Sequence, residues 1–166
     1  MRKFWVSVAV LALSGCSVWD QFKESSGIIP ETSSVELIVE ASDWLNVREG
    51  GQPSPVILRI HELTSPVLFR TLDFFALFEN DKAALGDEYI KRYEFQIKPG
   101  DEIHQLLILD PATRAIGYSV AFRDINGSSW RKVEQIEEKS EYFQRIKLEG
   151  SEMISDTTRG IEQVYF

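Results

Sequence analysis

The stretch YIKRYEFQIKPGDEIHQLLIL, Tyr89 to Leu109, decides the fold. Tyr89, Lys91, Tyr93, Phe95 and Ile97 fall on every second position, Pro99-Gly100 interrupts, and Ile103, Gln105, Leu107 and Leu109 resume the alternation. A period of two puts alternate side chains on one face of an extended chain, and Pro-Gly supplies the reversal, so the segment predicts two strands joined by a turn.

The same pattern extends in both directions. Upstream, Val35, Leu37, Val39 and Ala41 alternate with Glu36 and Glu40, while Val56, Leu58 and Ile60 alternate with Ile57, Arg59 and His61. Downstream, Ile116, Tyr118, Val120 and Phe122 alternate with the small residues Ala115, Gly117, Ser119 and Ala121. Two further runs, Trp130 to Ile136 and Phe143 to Leu148, follow the turn signal Asn126-Gly127. Strands at this spacing, separated by Gly and Pro turns, predict an all-β domain, an antiparallel β-sandwich over 35–166.

One region departs from the period of two. Ser65-Pro66 reads as a cap followed by a first helical residue, and Leu68, Leu72 and Phe75, with Phe69 and Phe78, recur at three- and four-residue spacing. A second short helix, Asp81 to Leu85, ends at Gly86, giving a short helical insertion near 66–86. Past Gly150 only Ile161 to Phe166 reads as a candidate last strand.

The first residues follow a different grammar. Arg2 and Lys3 precede an apolar run from Phe4 to Leu13, which ends in Leu13-Ser14-Gly15-Cys16. A bilayer span needs about 20 apolar residues, so this run is too short to remain as one. It reads as a signal peptide, 1–15, cut before Cys16, whose thiol takes the lipid. Leu-Ser-Gly-Cys matches the lipobox of bacterial lipoproteins. Ser17, rather than Asp, follows the lipidated cysteine, which favours the outer membrane, facing the periplasm. More than one acyl chain on Cys16, at about 0.8 kcal/mol per buried methylene, makes a lasting anchor in the lipid bilayer. Residues 16–34 are polar, contain Gly27 and Pro30, and read as a flexible tether.

Cys16 is the only cysteine, so the exported chain forms no internal disulfide and depends on its apolar core. There are 18 Lys and Arg against 26 Asp and Glu, and two of the 18 lie in the leader, leaving the mature domain near a charge of about −10. Such a surface argues against nucleic acid as a partner.

Catalytic and metal-binding patterns are not found. His61 and His104 lie within strand patterns, with no His-x-His, Cys-x-x-Cys or Glu-x-x-His spacing to bring metal ligands together. No Gly-x-Ser-x-Gly turn marks a nucleophile, and no cofactor-binding pattern appears. The expectation is a non-enzyme without cofactor beyond the covalent lipid on Cys16. A small-molecule or peptidoglycan binder with an aromatic pocket of Phe69, Phe75 and Trp130 is the alternative reading.

The long connection from Ser42 to Pro55 stands out, because loops of that length in a small domain are uncommon unless they bind something or are disordered. Trp44, Leu45, Asn46, Val47, Arg48, Glu49, Gly50, Gly51, Gln52 and Pro53 combine apolar anchors with charge, a mixture suited to a protein contact. The competing reading folds Trp44 and Leu45 back onto the sandwich.

The lipobox, Leu45-Asn46, the run Gly51 to Ile60, Asp73 to Phe78, Ala121-Phe122-Arg123-Asp124 and Trp130-Arg131, in that order, resemble the TssJ (VasD-like) lipoproteins of the bacterial type VI secretion system. The resemblance implies a transthyretin-like sandwich anchored in the outer membrane. It also implies docking to the periplasmic C-terminal region of the inner-membrane subunit TssM, with TssL reached indirectly through the membrane complex. The family's docking loop maps onto Asn46 through Pro53. Asn46-Val47 stands where the family often has Asn-Pro, so the fixed φ of proline is missing here.

Overall fold

The computed structural model describes residues 32–47 and 50–160. The leader, Cys16, Ser17, the tether up to residue 31, Arg48, Glu49 and the candidate strand Ile161 to Phe166 lie outside the described residues.

Among the described residues, eight strands form two four-stranded sheets. The first has the order β4 (Glu102–Ile108), β1 (Ser34–Ala41), β7 (Glu141–Glu149), β8 (Glu152–Arg159); the second has β3 (Tyr89–Ile97), β2 (Val56–Leu63), β5 (Ala115–Val120), β6 (Arg131–Gln135). The two strands and the turn read from Tyr89 to Leu109 are present, but the strands belong to different sheets, so the Pro99-Gly100 turn crosses from one layer to the other. Gly100 takes φ 77° there. All pairings are antiparallel except β1 with β7, which runs parallel and places Ser34 opposite Glu141 and Ala41 opposite Leu148. The expected antiparallel sandwich therefore carries one parallel pair at the centre of one sheet.

The main core lies between the sheets. Val35, Leu37 and Val39 of β1, Val56, Leu58 and Ile60 of β2, and Ile116, Tyr118 and Val120 of β5 all face it, as the alternation requires. At about 25 cal/mol per Å² of apolar surface, burial of these side chains is the main force holding a chain with no disulfide together.

Three short helices, α1 (Val67–Thr71), α2 (Phe74–Glu79) and α3 (Asp81–Leu85), cover the outer face of the second sheet. They bury Phe69, Leu77 and Leu85 with Leu63 and Ala115 in a second apolar cluster. Every residue of β5 is buried, because one face meets the core and the other meets the helices. That explains the small residues at 115, 117 and 119: a Cβ on Gly117 would come within 2.5 Å of the Phe69 ring.

The helical face differs from the expected one. Phe75 is 64% exposed and Leu68 also faces solvent, while Phe69 and Leu77 turn inward. Ser65 and Pro66 also shift outward by one place. Pro66 is the cap residue rather than the first helical one, and Ser65 Oγ accepts from the Val67 N–H at 3.3 Å. Asp73 caps α2 through the Ala76 N–H, and Gly86 ends α3 with φ 53°.

β8 is the strand the sequence reading lacks. Glu152 to Arg159 is largely polar, and as an edge strand it buries chiefly Met153, so it carries little hydrophobic alternation.

Candidate functional site

Strand directions divide the sandwich into two ends. β1 begins at Ser34 and runs about 23 Å at about 3.3 Å per residue to Ala41. The end reached by Ala41 also carries the turn from β3 to β4, the loop from β5 to β6 and the turn from β7 to β8. The loop from Ser42 to Pro55 is therefore at the end opposite the start of β1.

Its base is closed by a set of directional bonds. The Leu45 N–H donates to Ser42 O at 3.1 Å in a tight turn, which drives the Leu45 side chain fully into the core. Trp44, one position earlier, is thrown outward and is 68% exposed. The pair separates: Leu45 anchors the loop and Trp44 projects from it. Treating both as contact residues, or folding both back, is corrected by this turn.

Asn46 is buried and adopts φ 49°, a left-handed conformation that asparagine tolerates better than most residues. Its N–H donates to Gly150 O at 2.8 Å. Its side-chain nitrogen donates to Ser54 Oγ at 3.0 Å and Pro55 O at 3.3 Å, and its Oδ1 accepts the Arg123 N–H at 2.9 Å. Ser54 Oγ returns a bond to Asn46 O at 2.7 Å, and the Ser54 N–H donates to Leu45 O at 3.0 Å. Asn46 is thus a clasp rather than a contact residue. It gives the loop base the rigidity that proline at position 47 would otherwise lend.

Beyond the clasp the chain leaves the body of the protein. Val47 is 40% exposed, Gly50, Gly51 and Gln52 are exposed, and Pro53 is half-buried. Gly50 and Gly51 adopt φ 95° and 76°, and both have open space around the Cβ position, so they shape the tip by conformation rather than packing.

The other candidate residues do not assemble into a site. Phe69 is in the second core, Phe75 is on the surface, and Trp130 is half-buried in a T-shaped contact with Phe74, so the three do not line a common pocket. His104 lies on an exposed face with Glu102 at 2.6 Å. His61 is buried beneath the helices beside Asp81, not on an open strand face. Among the described residues no group of three His, Cys, Asp or Glu side chains could hold a metal ion, and no helix is long and apolar enough to cross a membrane.

Residues 33–151 match the family model described as "Type VI secretion lipoprotein, VasD, EvfM, TssJ, VC_A0113". The chain belongs to this type VI secretion lipoprotein family. Its members' fold agrees with the one described above: the T6SS lipoprotein TssJ1 from Pseudomonas aeruginosa is 29% identical, with a TM-score of 0.74 over 76% of this chain and 97% of that one. A chain of the structure described as "Type VI membrane complex" is 25% identical, with a TM-score of 0.64 over 73% and 95% of the two chains. A chain of the structure described as "T6SS protein TssM C-terminal domain (869-1107) from EAEC" is 23% identical, with a TM-score of 0.64 over 74% and 97%. No curated protein matches the chain.

Proposed function

We propose that this type VI secretion lipoprotein is a structural link: Cys16 holds it in the outer membrane, and the loop at the far end of the sandwich docks the periplasmic C-terminal region of TssM. The observation that carries the reading is the placement of the loop. The start of β1 and the loop lie at opposite ends of the sandwich, and the loop's base is locked by Asn46 while Trp44 and Val47 stand in solvent. Solvent-exposed tryptophan on a preorganised base is the kind of residue that carries binding energy in protein interfaces.

Related chains occur in structures described as the TssM C-terminal domain and the type VI membrane complex, which supports TssM as the partner. Ser17 favours the outer membrane, and the polar residues up to 34 supply the reach from it. TssL joins through the complex, without direct contact. The protein acts as a subunit and not as an enzyme.

Replacing Val47 to Gln52 with a short Gly-Ser link, with Asn46 and Ser54 retained, tests the loop. Co-purification with the TssM periplasmic region should be lost while the β-rich circular dichroism spectrum persists. Undiminished co-purification would refute the assignment. Cys16→Ser should release the chain from the membrane fraction, and its retention there would refute the anchor.

A further inference from the structure

The tip between the clasp residues runs only from Val47 to Pro53. A stable protein contact buries about 800 Å² on each partner, from about 20 to 30 residues a side. The tip is too small for that alone, so a neighbouring surface must share the contact.

The loop from β5 to β6, residues 121–130, is joined to the tip's base by the bond from the Arg123 N–H to Asn46 Oδ1. That loop is itself stiff: Asp124 Oδ1 accepts the Gly127 N–H at 3.1 Å, the Ser129 N–H donates to Ser151 O at 3.1 Å, and Ile125 packs on the core. Arg123 is exposed, and among the described residues its guanidinium makes no hydrogen bond or ion pair. Arg59, Arg92, Arg114, Arg131, Arg145 and Arg159, by contrast, are each held by a carboxylate or a carbonyl. Among the described residues the surrounding end is mainly acidic, with Glu40, Asp43, Asp101, Glu102, Asp124, Glu149 and Glu152 against Lys98, Arg123 and Lys147.

We infer that the docking surface is composite: Trp44 and Val47 provide the apolar anchors, and Arg123 provides a cationic arm held at a set position by Asn46. The partner surface it fits carries an apolar pocket beside a carboxylate. This inference rests on the docking reading above and adds a second arm to it. A guanidinium pairs with a carboxylate through two parallel N–H bonds, which would fix the orientation of the partner as well as its affinity.

Because the bond to Asn46 comes from the main chain of Arg123, its side chain can be changed with the clasp intact. The detergent-extracted full chain would be titrated with the TssM periplasmic region as wild type and as Arg123→Glu, Arg123→Lys, Trp44→Ala and Arg70→Glu. Arg70 is likewise exposed and without an ion pair among the described residues, but lies on α1, so it controls for net charge. Arg123→Glu should raise Kd by at least about tenfold with an unchanged melting temperature, Arg123→Lys should lie between, and Arg70→Glu should stay within about twofold. Wild-type binding by Arg123→Glu together with weak binding by Trp44→Ala would overturn the second arm and leave the docking loop standing. Wild-type binding by both would overturn the docking reading itself, and the second arm with it.

Discussion

His61 Nε2 lies 2.8 Å from Asp81 Oδ2 in the seam between the second sheet and the helices, and the same oxygen accepts Arg92 at 2.9 Å. His61 is fully buried, with Phe69 and Tyr89 against its ring and Asp81, Arg92 and Arg59 as the charges that face it. Burial pushes its pKa below the ordinary 6.5, and the nearby arginines add to this, outweighing the attraction of Asp81. Asp81 is raised by burial, but the bonds from His61 and Arg92 outweigh that and hold it below 3.8.

The sign of the linkage follows. An unfolded chain takes up a proton on His61 at a higher pH than the folded one, so its contribution to stability is full above 6.5 and is lost as pH falls through the lowered folded value. Asp81 adds a second loss below 3.8. Thermal unfolding should show a melting temperature that drops below pH 6.5, and His61→Gln should flatten that limb. An equal slope in the variant would contradict the assignment to His61.

Gly117 allows Phe69 to lie flat on β5. Gly117→Ala would place a methyl group within 2.5 to 2.7 Å of three ring carbons, so the ring must move and α1 with it. Overpacking of this sort costs about 1–3 kcal/mol, measurable by urea denaturation. Because the clash lies under the helices, the proposed docking to TssM should be unaffected under conditions where the variant is folded.

Glu62 is buried at the rim of the main core. One oxygen accepts Tyr93 Oη at 3.0 Å and faces Lys91 Nζ at 3.1 Å, and the other accepts the Asp110 N–H and Thr113 Oγ1, both at 2.8 Å. The Lys91 side chain stays 43% exposed, so its pairing adds little. Glu62→Ala should still cost on the order of 3 kcal/mol, because it strands the Asp110 and Thr113 donors. A loss under about 1 kcal/mol in the same denaturation experiment would contradict this account.

Asn46→Ala removes three side-chain bonds and puts alanine at a left-handed φ. It should destabilise the domain by about 2 kcal/mol. Amide hydrogen exchange at Arg123 and Ser54 should quicken well beyond that in β1 and β2, marking a loosened loop on a folded sandwich.

The strands with one buried face were legible because alternation alone determines them, as in Val35 to Ala41 and Tyr89 to Ile97. Elements buried on both faces or on neither were harder. His61 sits under a helical layer whose presence its own strand pattern does not reveal, and β8 has too few buried side chains to show a period. Each helix spans only five or six residues, too few for a 3.6-residue period to say whether Phe69 or Phe75 turns inward. Between β1 and β2, the presence of a long loop was readable from length and composition. Its internal division was not, since the turn that buries Leu45 and exposes Trp44 depends on a backbone bond to Ser42.

The central claim is that the tip of this loop meets TssM in the assembled envelope. A photo-crosslinking residue at the exposed Gln52 of the full-length lipoprotein, with a second variant at exposed Leu106 on the open face of the first sheet, tests it in living cells. Crosslinks to TssM from position 52 and none from position 106 are the predicted result. Crosslinks from 106 with none from 52 would contradict it.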